Sequence, residues 1–159
     1  MRLEGPADRS LELTVVGYEF ASVPRRDGFD HDANWLVVQG RIHAGDRHWE
    51  FRFPTLLTIE VSALATWLEA TADGKPADVL WFTEPLLQFE QVRFPAAEPI
   101  VRVRLGHEAL PPGSEPGREL VLDLAADDEA LRRAASDLRS DLARYPERQP
   151  AAKVGQRRK

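Results

Sequence analysis

An α+β fold is predicted, mainly an antiparallel sheet of about seven strands with two helices, the longer at the C-terminus. Three observations carry this. Apolar residues alternate with polar ones in a series of short segments joined by brief turns, the pattern of an antiparallel sheet with one buried face. Two segments instead repeat their apolar residues every three or four positions, one in the middle of the chain and one near its end. Strands that follow one another without an intervening helix leave the helices to cover one face of the sheet. A chain of 159 residues is most simply one domain with a single core, here residues 1–145, followed by a basic tail over 146–159 that reads as disordered.

Residues 1–9 are polar around Gly5-Pro6 and read as loose. Ser10 to Phe20 is the first strand, with Leu11, Leu13 and Val15 on one face and Glu12 and Thr14 on the other. Gly17 marks its end or a bulge. Ala21 to Ala33 is a loop, broken by Pro24, Gly28 and the acids Asp27, Asp30 and Asp32.

Asn34 to His43 and His48 to Phe53 form a hairpin. Gly45-Asp46 as its central turn residues suit a type II′ turn, with glycine in first place. That register pairs Ile42 with Trp49, Gly40 with Phe51 and Val38 with Phe53 on an apolar face. The opposite face pairs Arg41 with Glu50, Gln39 with Arg52 and His43 with His48. A slip by one residue would mix the faces, so the register is well specified. Pro54 has no N–H for the ladder and ends the second strand.

Val61 to Ala72 is the first helix, starting between Thr58 and Ser62. Val61, Leu64, Ala65 and Leu68 form its apolar stripe, Thr66 and Glu69 face water, and Glu60 suits its positive end. Gly74 and Pro76 stop it. The strands Asp78–Phe82, Leu86–Phe94, Ile100–Leu110 and Glu119–Leu124 follow, separated by Thr83-Glu84-Pro85, Pro95–Pro99 and Pro111–Gly117. Asp127 to Tyr145 is the long helix, capped by Asp127, with the stripe Leu131, Ala135, Leu138, Leu142 and Tyr145. Surface pairs Asp128–Arg132 and Arg133–Asp137 are each expected to contribute about 0.2–0.5 kcal/mol. Pro146 ends the helix.

Composition excludes several classes. There is no cysteine, hence no disulfide or thiolate metal site. No apolar run approaches the roughly 20 residues that span a bilayer. Met1 to Pro6 lacks an apolar signal region, which predicts a cytoplasmic chain. The tail over 146–159 holds five bases and one acid, and the body 16 bases against 25 acids, a net of −9. An acidic body argues against nucleic-acid binding and suits a basic partner, though acidity also serves solubility.

Catalytic chemistry is poorly supported. His43 and His48 face each other beside the hairpin turn, without further ligands to complete a metal site. His31, between Asp30 and Asp32, reads as part of a solvated loop. His107 and Glu108 lie side by side in a strand and point to opposite faces. No Gly-x-Ser-x-Gly elbow, phosphate loop or dinucleotide fingerprint occurs. Glu60, Glu84 and Glu90 have nothing to fix two of them at one cleft. The reading is of a non-enzyme with no cofactor and no metal. Core packing is expected for Trp35, Trp49, Trp67 and Trp81; one that proved exposed would be a candidate binding anchor.

Three stretches resemble the WapI family of immunity proteins. The first is Leu11-Glu12-Leu13 through Gly17-Tyr18-Glu19-Phe20. The second is Asp32-Ala33-Asn34-Trp35-Leu36-Val37-Val38 and, after the hairpin, Leu56-Leu57-Thr58 with Glu60-Val61, Leu64, Trp67 and Leu68. The third is Phe82-Thr83-Glu84-Pro85 with Leu87, Phe89 and Glu90, then Asp141-Leu142-Ala143-Arg144-Tyr145-Pro146. They come in the family's order and cover nearly the whole chain except the tail. Pro54-Thr55 departs from a Cys common before the Leu-Leu pair, and Gly113 from an aromatic common after Pro111-Pro112.

The resemblance implies a cytoplasmic antidote that binds the C-terminal domain of a secreted toxin without turnover. The family's namesake faces a domain similar to RNA-cleaving ones. A nuclease must be basic to hold phosphates, so an acidic partner suits it. Asp27, Asp30, Asp32, Asp73, Asp78 and Glu84, in loops or at strand edges, are the candidate toxin-facing acids. The competing reading is a small-ligand or regulatory binding module, which predicts a deep pocket with convergent polar groups.

Overall fold

Two four-stranded antiparallel sheets and two packed helices share one hydrophobic core. The computed structural model describes residues 1–22, 30–93, 99–125 and 127–148. The first sheet runs in chain order: β1 (Arg2–Gly5), β2 (Arg9–Tyr18), β3 (Trp35–Ala44) and β4 (Arg47–Leu57). A single helical turn, α1 (His31–Asn34), precedes β3, and α2 (Thr58–Ala72) follows β4 directly. The second sheet is β5 (Leu80–Trp81), β6 (Leu87–Val92), β7 (Ile100–Gly106) and β8 (Glu119–Ala125), and α3 (Asp128–Arg144) closes the order.

The β3–β4 hairpin has the expected register throughout, from Val38 opposite Phe53 to His43 opposite His48. Gly45 takes φ +67 while Asp46 stays out of the left-handed region, as a type II′ turn requires. Gly40 is obligatory for a different reason. The Phe51 ring lies over it, and a Cβ there would sit 2.1 Å from Phe51 Cε1. Gly17 follows the bulge expected of it, a register shift between Val15 and Gly17.

Among the described residues the strands number eight, because residues 1–9 are not loose. Leu3 is fully buried and pairs with Leu11, and Met1 is also buried. The turn after β1 holds Ala7 at φ +56 and Asp8 at φ +53. β1 also joins the two sheets. A Cβ on Gly5 would come within 2.8 Å of the Asp123 carbonyl oxygen on β8.

Pro54 does not end β4. The strand is the edge of its sheet, and the register shifts between Leu36 and Val37, opposite Pro54. An edge tolerates a missing N–H, and the buried Leu56 and Leu57 carry the strand onward into the core. His107 does not lie in a strand. β7 stops at Gly106, and His107–Ala109 form a 3-10 turn with His107 at φ +51. The strand expected over Asp78–Phe82 is reduced to Leu80–Trp81.

α2 buries Val61, Leu64, Ala65 and Leu68 as expected, and Trp67 and Thr71 besides. Glu60 Oε2 accepts the Leu57 N–H at 2.8 Å, satisfying one of the donors orphaned at the helix start. Gly74, at φ +70, ends the helix, with the Lys75 N–H on the Ala70 carbonyl at 3.0 Å. In α3, Asp127 Oδ1 caps the Ala130 N–H at 2.7 Å. The two helices pack on each other, and Arg139 ties their solvent side by reaching Glu69, Ser62 and Thr66. The expected surface pairs along α3 are replaced: Arg132 reaches Asp73 at the end of α2, and Arg133 pairs with Glu129.

The C-terminal end of α3 docks on the β2 bulge. Asp141, only 7% exposed, accepts the Val15 N–H at 3.1 Å and holds Arg144 at 2.7 Å. Tyr145 donates its hydroxyl to the Val16 carbonyl at 3.2 Å, and Tyr18 donates to the Pro146 carbonyl. Beyond it lies a buried amide. Asn34 is fully buried, and its Nδ2 donates to the carbonyls of Asp30 (2.9 Å) and Arg148 (3.2 Å). Its Oδ1 accepts from Thr58 Oγ1 (3.1 Å) and the Arg148 N–H (2.8 Å). The Arg148 guanidinium stacks 3.5 Å above the Tyr18 ring. Residues 149–159, most of the expected tail, lie outside the described residues. Among the described residues no helix is long and apolar enough to cross a membrane.

Asn34→Ala leaves a buried hydroxyl and three backbone groups without their partner. A loss of about 2–4 kcal/mol is expected in urea denaturation; unchanged stability would show that these groups find other partners.

Arg102 grips Asp123 through two hydrogen bonds of 2.7 and 3.0 Å, which hold the Asp123 carboxyl below the usual carboxylate range. A lowered carboxyl pKa stabilises the fold above the unfolded value of about 3.9, and that contribution is lost as pH falls through the folded value. The urea midpoint of Asp123→Asn should therefore fall less steeply with acid below about pH 4 than that of the wild type. Parallel acid limbs would rule the pair out as a stabiliser.

Candidate protein-binding surface

β5 is short because its neighbours hold it from both sides. Before it, the Trp67 indole N–H donates to the Asp78 carbonyl at 2.7 Å, and Gln91 Oε1 accepts the Ala77 N–H at 3.1 Å. After it, Glu60 Oε1 accepts both the Thr83 N–H (2.6 Å) and the Thr83 hydroxyl (2.8 Å). One carboxylate thus starts α2 and fixes the turn that carries Glu84. Phe82 is buried edge-on against Phe89, with ring centroids 6.0 Å apart. Trp81, between these fixed points, points outward and is 69% exposed. The core packing expected of all four tryptophans holds for Trp49 and Trp67, while Trp35 is half-buried.

Register explains the exposure. Trp81 pairs with Gln88, Gln88 with Arg104, and Arg104 with Val121, so these four form one row on the outer face of the second sheet. Val121 at 42% and Val79 at 39% are exposed as well. The next row is Glu90, Arg102 and Asp123. Arg104 lies 3.7 Å from both Glu90 and Glu119. A cleft of about 160 Å³ opens beside Trp81, with Pro85, Gly106, His107 and Arg118 among its walls. A wider, open groove of about 650 Å³ runs between β4 and the segment 107–117.

The candidate acids separate. Asp32 and Glu84 both act on Glu19, which is not among the candidate acids. Partial burial, then the Asp32 and Glu84 charges, push the Glu19 carboxyl above its usual range. Asp30 serves the fold instead, capping α1 with its Oδ1 on the Ala33 N–H at 3.3 Å. Asp73 is engaged by Lys75 at 3.0 Å and Arg132 at 3.2 Å, whose hydrogen bonds hold its carboxyl below the usual range. Asp78 is exposed just before β5. Asp27 lies outside the described residues. Two of the six candidate acids, then, share a patch.

Chemistry-bearing clusters are sparse. His43 and His48 stack across the hairpin with ring centroids 5.9 Å apart. Among the described residues no group of three or more His, Asp or Glu side chains is placed to hold a metal ion. His107 and Glu108 share the 3-10 turn.

No curated protein and no solved structure is detectably similar to the chain. A family match does cover residues 2–146 of its 159, from the start of β1 to the Pro146 that receives Tyr18. The chain belongs to the Immunity protein WapI-like family.

Proposed function

We propose that this chain is a cytoplasmic immunity protein that binds the basic C-terminal domain, a nuclease, of a secreted bacterial toxin. The complex is stoichiometric and blocks the toxin without turnover. Family membership carries the immunity role and implies a cognate toxin as partner. The finer reading is supported by charge. The body carries a net of −9, and a nuclease surface built to hold phosphates is its complement.

The supporting detail is the Glu19–Asp32–Glu84 patch. Three carboxylates close enough to help raise the pKa of one of them are costly in the free protein. A cationic partner removes that cost. The patch then acts in two ways: it attracts a basic domain over a Debye length of about 8 Å at physiological salt, and it loses its self-repulsion on contact.

The primary test is rescue. The C-terminal domain of a large secreted protein encoded beside this chain is induced in a susceptible cell, with and without it. Growth restored only with the chain, together with a one-to-one complex in solution, supports the reading; toxicity unrelieved by it counts against the pairing.

A second test addresses the patch. Reversing Asp32 and Glu84 to lysine should slow association with that domain about tenfold or more at low salt, with the gap closing as salt rises. An unchanged on-rate at low salt would remove the patch from the proposal. Because the pKa of Glu19 is raised, affinity in the wild type should also strengthen as pH rises through its titration. Glu19→Gln should flatten that dependence.

A further inference from the structure

We infer that the outer face of the second sheet, centred on Trp81, is where the toxin domain docks, and that the indole enters an apolar pocket rimmed by basic side chains. The inference rests on the immunity reading and adds to it a surface and the chemistry of the partner's side.

Trp81, at 69%, is the most exposed large apolar side chain among the described residues. An indole in water is a standing cost that soluble proteins usually avoid by burial, and Trp is among the residues most enriched at interface hot spots. The fold has not left this one on a loose segment. Its strand is pinned by Trp67 and Gln91 before it and by Glu60 after it, and Leu80 and Phe82 on either side reach the core. A side chain presented on a fixed backbone loses little freedom on binding, which favours tight association.

The face around it has the make-up of an interface. Val121 lies in the same row, three strands away, roughly 15 Å at the usual strand spacing. Between them Arg104 and Arg102 are matched to Glu90, Glu119 and Asp123, so neither cation is left over. Asp78 and Glu84 flank β5 and form no ion pair with described residues. Arg93, which donates to the Lys75 carbonyl beside the segment before β5, likewise forms no ion pair with described residues; with it counted, five acids (Asp78, Glu84, Glu90, Glu119 and Asp123) still outnumber three cations (Arg93, Arg102 and Arg104), which selects a cationic rim on the partner. His107, at the edge of the cleft beside Trp81, holds φ +51. Non-glycine residues in that region are uncommon and collect at binding sites.

Glu84 belongs both to the acidic patch and to the turn that follows Trp81. Patch and anchor thus lie on one continuous stretch of chain.

The test uses the full chain and the purified toxin domain encoded beside it, with binding kinetics read by a surface sensor. Trp81→Ala should weaken the complex roughly thirtyfold or more, mainly through faster dissociation. Val121→Lys, whose charge opposes a cationic rim, should weaken it about fivefold or more. Glu50→Lys, on the outer face of the first sheet, should stay within about twofold as a control. Thermal melts establish that each variant is folded. Wild-type kinetics in both Trp81→Ala and Val121→Lys would overturn the docking surface and leave the immunity reading standing, since the complex still forms. A wild-type chain that does not bind the domain would overturn both. A self-associated wild type that Trp81→Ala turns into a monomer, with toxin affinity unchanged, would assign the face to a second copy and overturn the proposal.

Discussion

A single buried amide ties together three distant parts of this fold. Asn34 is fully buried, and an amide taken from water without partners would cost several kcal/mol. Its partners are Asp30, four residues back, Thr58 at the start of α2, and the backbone of Arg148 near the far end of the chain. The side chain meets Arg148 as a strand neighbour would, giving an N–H to its carbonyl and taking its N–H. The site is satisfied only when α3 has carried the chain back to β2. The contacts of Asp141, Tyr145 and Pro146 around the bulge at Val15–Gly17 set the angle of that return. The bulge exposes the Val15 N–H that Asp141 needs, so an irregularity of one strand becomes the docking point of a helix.

The second sheet depends on the first through α2. Glu60 faces two ways, toward the helix start at Leu57 and toward the turn at Thr83. Trp67, in the second half of the same helix, carries the Asp78 carbonyl. The helix therefore brackets β5 at both ends, and the outward pose of Trp81 follows from residues chosen for helix capping and core packing. Trp67 and Phe89, with centroids 6.2 Å apart, complete the floor beneath it.

Local pattern makes much of this legible in the sequence. The hairpin register follows from two faces of opposite character and one glycine, and the helix boundaries from caps and Gly74. The family resemblance is borne out by the match over residues 2–146. What stays illegible is non-local. β1 offers only Leu3 as an inward apolar residue between Arg2 and Glu4, too short a signal without β2 and β8 beside it. Pro54 reads as a strand end unless the strand is known to be an edge. Trp81 sits in a run, Val79-Leu80-Trp81-Phe82, in which every residue is apolar, so periodicity has nothing to distinguish its face. The polar Gln88 and Arg104 opposite it are the missing clue, and they become partners only once the register of three strands is known. Glu19 stands in a resembling stretch but carries no local sign of its role, because the patch it joins is assembled from the residue after β2, α1 and the turn after β5.

Charge and apolar surface divide the work on the proposed reading. Coulomb attraction falls off slowly and sets how often a basic domain arrives, while a desolvated indole sets how long it stays. The two demands conflict on one surface, since a fully charged face desolvates poorly and a wholly apolar one aggregates. Here they are kept apart by a few residues. The arginines of the second sheet are already matched to acids, so covering them strands no cation, and the unmatched carboxylates stand at the rim, where water still reaches them. Glu19 shows the cost of this arrangement in the free protein: burial raises its pKa first, and the Asp32 and Glu84 charges raise it further. A partner that brings cations to that rim offsets the charge part of this cost, and it meets a turn and a strand that Glu60 and Asn34 already hold in place.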